Sequence, residues 1–502
     1  MRRAALPWAG IAAAWRRCVG RRCALSTALG WWAALATLGG CAVGPDYHRP
    51  AAPVPPAYKE LPADASIWKP STPQDGLTRG TWWVIFNDAE LDQLESQVNL
   101  SNQTVKEYEA EYRQAVAMLK EAKSELFPTV SISGGVQRGG GGGGTASVSS
   151  AVGSGAGGST HTEFTLEPTI SWSPDIWGVI RRTIESRKAG VQVNAADLAN
   201  AQLSAQATLA ADYFDLRATD SLRQLLAKAV TLDARALEIT QNQFNSGTTD
   251  NGTLASAEAA LQAARAQLAA VDQTRGTYEH AVAMLTGHLP SELTIPVAPL
   301  TSTVPTVPLA VPSTLLERNP GIAAAERQMK QENALIGVAV GAYFPTISLT
   351  ALGGYAGNPL NKLFNVGNRI WSLGASASDT LFQGGEQVAA VALARANYDQ
   401  YVAAYRQTVL TTFQSVEDQL LALRVLQQES AFQLQAVASA QHAADVALNQ
   451  YNAGTVAYTT VIADIQTLLA DQESLLTIKQ NQLVAVVTLI EDLGGGWDAA
   501  QL

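Results

Sequence analysis

The chain has 502 residues, 47% hydrophobic and 16% charged, a balance that excludes a disordered polymer and leaves room for two to four domains. Acidic side chains outnumber basic ones 44 to 34, and six of the arginines (2, 3, 16, 17, 21 and 22) fall in the first 40 residues, where there is no acid. Beyond that stretch the charge is −16 (28 − 44), which argues against a nucleic-acid partner.

Residues 1–40 read as a secretory signal peptide: the arginines precede an apolar run from Ala24 into Leu38-Gly39-Gly40-Cys41. A transmembrane anchor is the competing reading, weakened because the run is short and interrupted by Ser26 and Thr27. Cleavage there removes Cys18 and Cys23 and leaves Cys41 first in the mature chain, with no partner for a disulfide. The small residue Ala42 follows it, where an aspartate would favour retention in the inner membrane.

Residues 41–86 read as an extended tether, with eight prolines between 42 and 75 and Trp68, Trp82 and Trp83 to pin it. A first repeat spans 87–288. Asn87 with Glu90 resembles a capping box opening a helix that runs through Leu91, Leu94, Val98 and Val105 to Leu126 and stops at Phe127-Pro128. A β-hairpin is expected over 129–173, with strands at 129–137 and 163–173 flanking a glycine- and serine-rich loop from Gly139 to Ser159. That loop lacks the Gly-Lys-Ser/Thr of a phosphate loop. A proline-free helix then covers 178–245, a turn 245–253, and a shorter helix ends at Gly287.

Residues 289–312 hold six prolines and read as a linker lying around the waist of a helical body. The second repeat, 313–496, restates the first. Ser313 caps a helix through Leu316 and Ile322 to Phe344, a hairpin covers 346–380 (strands 346–356 and 370–380), the long helix 385–452, and the turn 452–458. Residues 497–502 form a tail. Phe127-Pro128-Thr129-Val130-Ser131-Ile132 returns as Phe344-Pro345-Thr346-Ile347-Ser348-Leu349, and Gln243-Phe244-Asn245-Ser246-Gly247-Thr248 as Gln450-Tyr451-Asn452-Ala453-Gly454-Thr455. Each long helix would extend roughly 100 Å. In the second, Tyr398, Val402, Tyr405, Val409, Phe413, Val416, Leu420 and Leu423 make a coiled-coil seam that requires a partner helix.

The fold class is therefore mainly α with a membrane β region. The strands alternate apolar with small polar residues, as in Trp371, Leu373, Ala375 and Ala377 against Ser372, Gly374, Ser376 and Ser378, and their length suits a tilted crossing of a bilayer. Four strands cannot close a barrel, and lipid does not tolerate open edges, so other subunits must supply the missing strands. Nothing points to an enzyme, cofactor or metal site. The histidines (48, 161, 280, 288, 442) are scattered, no Gly-x-Ser-x-Gly elbow occurs, and four methionines make no soft-metal relay. Asp212, Asp215 and Asp220 read as a solvated helix face, with a pore role as the alternative.

Taken together, Val43-Gly44-Pro45-Asp46-Tyr47, Phe86-Asn87-Asp88, Trp177-Gly178, Leu316-Glu317-Arg318-Asn319-Pro320, Leu381-Phe382-Gln383-Gly384-Gly385 and Leu493-Gly494-Gly495-Gly496-Trp497 resemble the TolC-type outer membrane factors. The likeness is to the lipoprotein branch that serves resistance-nodulation-division (RND) efflux pumps. It implies a homotrimer with a 12-stranded barrel and a long coiled-coil helical barrel, in the outer membrane of a Gram-negative bacterium with its body in the periplasm. It also implies a diacylglycerol and an N-acyl chain (palmitate) on Cys41, a periplasmic membrane-fusion adaptor at the turns (Gly247, Thr248, Gly454, Thr455), and an inner-membrane RND pump. Tyr451 resembles the family's gate tyrosine, and Asp445 and Asp464 are candidates for a carboxylate constriction, although Asp464 comes slightly later than the family's usual acid. The second turn, with Asp445, Asp464 and Tyr451, is expected to be the inner, moving one, because the first offers only Glu238, Asp250 and Phe244.

Three readings follow: an efflux conduit for drugs or other small molecules, a conduit for protein secretion with an ABC transporter, and a structural lipoprotein or adhesin. Lipidation and the Gly-Pro-Asp-Tyr start favour the first over the second, and the internal repeat disfavours the third. Cys41→Ser is expected to abolish incorporation of labelled palmitate; label on the variant would overturn the lipidation assignment.

Overall fold

A computed structural model describes residues 42–51, 55, 58–60, 81–140, 160–305 and 318–495. The signal segment, Cys41, Trp68, Gly141 to Ser159, Ser313, Leu316 and the tail from Gly496 lie outside the described residues. The described chain forms two compact units. One comprises residues up to Asp46 with Ala122–Glu185 and Ala334–Ala394; the other comprises Tyr47–Glu121, Ser186–Asn333 and the chain from Arg395 onward.

The first unit holds one antiparallel sheet in the order β1-β2-β3-β4: β1 (Thr129–Gly140), β2 (Thr160–Trp172), β3 (Thr346–Gly357) and β4 (Arg369–Ser378). Strands are expected at nearly these places, but β1 runs on through Gly139 and Gly140, which pair with His161 and Thr160 rather than joining the loop. β4 also stops two residues short of 380. On one face Val130, Ile132, Val136, Trp371 and Leu373 are exposed, an arrangement that water penalises and hydrocarbon accepts. Tyr355 packs edge-on against Phe364 in the second hairpin, at 5.3 Å between ring centroids. No described helix is long and apolar enough to cross a membrane.

Below the sheet, Trp177 stacks on Phe344 at 4.9 Å, and its indole Nε1 donates to the Pro345 carbonyl (2.9 Å). Residues 42–46 are seated beside it. The Val43 N–H donates to the Trp177 carbonyl, and Arg182 reaches the Gly44 carbonyl and the Asp46 carboxylate (2.9 Å). Gly44 (φ +103°) lies so close to Gly337 that a Cβ would stand 2.4 Å from its Cα, so only glycine fits.

The second unit is helical. It contains α1 (Ala89–Ser101), the greater parts of α2 (Gln103–Ser124), α3 (Val179–Asn245), α5 (Pro320–Gly341) and α6 (Glu386–Asn452), and the whole of α4 (Asn251–Leu285) and α7 (Tyr458–Asp492). The two long helices have 67 residues each. The seam residues Tyr405, Val409, Phe413, Val416 and Leu420 are buried with Ile322 and Met329 of α5, Leu489 of α7 and Tyr58, while Tyr398, Val402 and Leu423 flank them. A second cluster gathers Trp82, Trp83 and Phe86, on a short 3₁₀ turn, against Leu209, Phe214 and Leu216 of α3 and Val486 and Ile490 of α7.

Two expectations about the shorter helices are corrected. The cap of α1 is Asp88, whose carboxylate accepts from the N–H groups of Glu90 and Leu91, while Asn87 adopts φ 52°. The segment from 87 to 126 is not one helix: it breaks at Asn102, whose Nδ2 donates to the Leu285 carbonyl (2.8 Å) and whose Oδ1 accepts from Val105 N. The repeat does the same at Asn319, which donates to the Asp492 carbonyl (2.9 Å) and caps Ile322. Each asparagine thus splices two helix ends, satisfying one orphan carbonyl and one orphan N–H that a buried joint would otherwise strand.

The aspartate trio on α3 is not a solvated face. Asp220 is fully buried and accepts from Arg217, Arg275 (2.7 Å) and the Ala298 N–H. Arg217 and Arg275 also donate to the carbonyls of Pro296 and Ile295, so these charges clamp the proline-rich linker to the helices. Asp215 accepts from Gln480 of α7 (2.7 Å). Asp212 is half-buried, and burial, with the neighbouring Asp215 second, pushes its carboxyl up to about 6. A carboxyl raised in this way adds stability below its unfolded value near 4 and loses it as pH rises through 6. Asp212→Asn is therefore expected to raise the denaturant midpoint at pH 7 and to leave it unchanged at pH 4. The gain is on the order of 1 kcal/mol, because water screens the exposed half of the group.

Candidate functional site

The residues singled out at the two turns all lie in the helical unit. Both long helices end in the same way. Gly247 and Gly454 each take φ +73°, and each turn closes with paired backbone bonds: Gly247 N to Phe244 O and Thr248 N to Gln243 O, and Gly454 N to Tyr451 O and Thr455 N to Gln450 O. This is the Schellman arrangement, for which a left-handed glycine is the low-cost residue. The Thr248 and Thr455 hydroxyls add a bond to the same Gln243 and Gln450 carbonyls, at 2.9 Å each. Glycines and threonines are exposed, and a Cβ on either glycine would meet no atom within 4 Å.

The turns differ in how the next helix begins. Asp250 caps α4, accepting from the N–H groups of Gly252 and Thr253 and from the Thr253 hydroxyl (2.9 Å), bonds that hold its carboxyl below the usual range. α7 starts after Ala457, which has no side chain able to cap it. The second turn therefore leaves its orphan N–H groups without the side-chain cap that the first turn has.

Tyr451 lies across the second turn against Tyr458, with ring centroids 5.0 Å apart. Its hydroxyl has no hydrogen-bond partner among the described residues. The Arg235 guanidinium of α3 lies within electrostatic range of both tyrosines while pairing with Glu238 (2.5 Å). Asp445 is exposed on α6 and accepts from Gln441 (3.0 Å). Asp464 is half-exposed on α7, without a hydrogen bond or ion pair among the described residues. Among the described residues no hydrogen bond or ion pair joins the three candidates to one another. The structure does reveal one link that sequence reasoning missed: Asp233 of α3, buried, accepts from Gln466 of α7 (3.2 Å) and so ties the first helical hairpin to the second. A cavity of about 300 Å³, lined by Leu222, Leu226, Ala264 and Leu469, adjoins this link.

A long-helix bundle with paired hairpin turns and a four-stranded sheet bearing an apolar face has the architecture of an outer membrane channel. The sequence matches the family model described as outer membrane efflux protein over residues 94–288 and 311–495, and the chain belongs to that family. It is 26% identical over 462 residues to the probable efflux pump outer membrane protein TtgC of Pseudomonas putida, covering 92% of this chain and 93% of that one. It is 28% identical to the solvent efflux pump outer membrane protein SrpC of Pseudomonas putida, covering 93% and 98%. The solved outer-membrane channel OprN superposes with a TM-score of 0.78 at 26% identity, over 91% of this chain and all of that one. The Campylobacter jejuni channel CmeC shares the fold, with a TM-score of 0.80 at 23% identity over 91% and 96%. The chain is an outer membrane efflux channel protein.

Hydrogen exchange at the two turns tests the capping asymmetry: amides 252–254 are expected to be more protected than 459–461. Asp250→Ala should bring the first set down to the second, and equal protection in the unaltered chain would overturn the asymmetry.

Proposed function

We propose that three copies of this chain assemble in the outer membrane as the exit duct of a tripartite pump that carries small molecules out of the cell. The observation that carries the reading is the sheet, whose β1 and β4 each leave one edge unpaired in a single chain although its apolar face calls for lipid. Hydrocarbon offers no partner for those edge amides and carbonyls, so the strands of further copies must. Three copies make twelve strands, with the helices of each copy contributing to one periplasmic duct.

In this reading Cys41 carries the lipid, and the close seating of residues 42–46 holds the anchor at the foot of the sheet. The exposed turns at Gly247-Thr248 and Gly454-Thr455 receive a periplasmic adaptor, which couples the duct to an inner-membrane RND pump. Relatives that match along nearly the whole chain are named for efflux, which supports this reading over protein secretion or a structural role. Gating belongs to the second hairpin. Like carboxylates brought near a threefold axis repel one another unless hydrated or paired with cations, so Asp464, with Asp445 above it, forms a cation-preferring constriction. Tyr451, whose hydroxyl finds no acceptor among the described residues of its own chain, donates to a neighbouring copy in the closed state.

Single-channel recording in planar bilayers tests this directly. Tyr451→Phe is expected to raise conductance, and Asp464→Ala to reduce cation selectivity and block by multivalent cations. Unaltered conductance and selectivity in both variants would place the gate elsewhere.

A further inference from the structure

The internal repeat is retained in three dimensions closely enough to specify the contact between copies. Thr129 of β1 and Thr346 of β3 occupy equivalent places, each directly after a Phe-Pro, and they lie 217 positions apart (346 − 129). Thr129 faces Ser171, while Thr346 faces Ser378, so β2 maps onto β4 with an offset of 207 (378 − 171). The same offset relates the first residues of the long helices, Val179 and Glu386 (386 − 179). Within one chain, the junction between the two halves is the β2–β3 pairing: Ser171 faces Thr350, Thr169 faces Leu352, and Leu166 faces Tyr355.

We propose that the contact between adjacent copies repeats this junction, with β4 of one copy paired to β1 of the next in the register that the repeat dictates. Replacing each residue by its equivalent sets Ser378 opposite the neighbouring copy's Ser133, Ser376 opposite Gly135, and Leu373 opposite Arg138. This inference rests on the multi-copy reading above and goes beyond it by fixing which residues meet. The strand directions make the new pairing antiparallel, like the other three.

Two independent observations support the register. The first is facial. The mapping keeps Val130, Ile132 and Val136 on the same side of the continued sheet as Trp371 and Leu373, whereas a slip by one residue would turn one strand's apolar face into the lumen. The second lies beyond the strand ends. Trp177 and Phe344 each lie five residues beyond the last β2–β3 pair, Trp172 with Leu349, and so stay in step with that register, and their rings stack. The equivalent positions between copies are Gly384 and Phe127. Gly384 has open space where a Cβ would stand, and Phe127 is 69% exposed in a single chain. Leu381 and Phe382, 93% and 88% exposed, lie one residue short of Gly384. The edge left bare on one copy is thus apolar where the edge left bare on the other is apolar, and a second copy is the occupant that fits both.

Disulfide trapping in the full-length protein, in outer membranes and in detergent, tests the register. Directly opposed residues place their Cβ atoms within disulfide reach, whereas diagonal neighbours do not. Ser133→Cys combined with Ser378→Cys is expected to give covalent dimers and trimers on mild oxidation. Ser376→Cys with Gly135→Cys should do the same and serves if the first pair fails to fold. The shifted combinations Ser131→Cys with Ser378→Cys and Gly135→Cys with Ser378→Cys should stay monomeric on a denaturing gel. Single-cysteine variants control for Cys41. Efficient trapping of a shifted pair, in a protein whose mass in detergent is that of three chains, would overturn the register alone. A monomeric mass with no pair trapped would overturn the assembly as well.

Discussion

A backbone amide that enters hydrocarbon without a partner costs several kcal/mol, and that constraint governs the β region. The chain supplies four strands that pair with one another in sequence order, which leaves the outward edges of β1 and β4 without a partner strand. An edge of this kind in water would be an aggregation hazard, blunted by charge or proline. Here β1 and β4 carry alternating small polar and apolar residues, with charge confined to Arg138 near the end of β1 and Arg369 at the start of β4, so most of each edge is unguarded. In the proposed assembly, hydrogen bonding at these edges supplies the requirement for further copies, and the apolar face sets the medium in which they meet.

The helical unit solves a different problem with a related device. Helices of 67 residues have too few local constraints to set their own neighbours, so buried polar joints supply the addresses. Asn102 and Asn319 splice shorter helices end to end against the long ones, and Asp220 with Arg217 and Arg275 holds the linker in place. Each group is satisfied several times over. A buried charge network of this kind contributes less to net stability than an apolar core of equal volume, yet losing one member is costly because the others remain buried. Its value here is positional: it ties the linker between the two repeats to one place on the bundle.

The turns combine identical backbone chemistry with unequal side chains. Both close on a left-handed glycine, but only the first is followed by a capping aspartate. An approximate repeat permits such a difference, because each turn keeps its backbone closure while its flanking side chains diverge. The Asp233–Gln466 bond runs from an exposed amide to a buried carboxylate and links the hairpins away from the exposed turns themselves.

Much of the fold could be read from the sequence because its signals are local or periodic. Proline-free runs set the long helices, Phe-Pro marked where helix yields to strand, alternation marked the strands, and the 4-3 spacing of Tyr405 through Leu420 found the buried seam. The left-handed glycines of the turns were legible for the same reason. The breaks at Asn102 and Asn319 were not, because a short polar residue in a helical pattern is silent until a carbonyl 183 or 173 positions away is brought to it. The burial of Asp220 likewise depends on Arg275, 55 positions on, and on the linker. Arg235 beside Tyr451 and Tyr458, and Asp233 on Gln466, join halves of the chain that no window of sequence contains. Local periodicity determined the elements and their lengths, whereas the pairing of buried polar groups across hundreds of residues was decided only by the tertiary structure, because desolvation cost is set by neighbours in space.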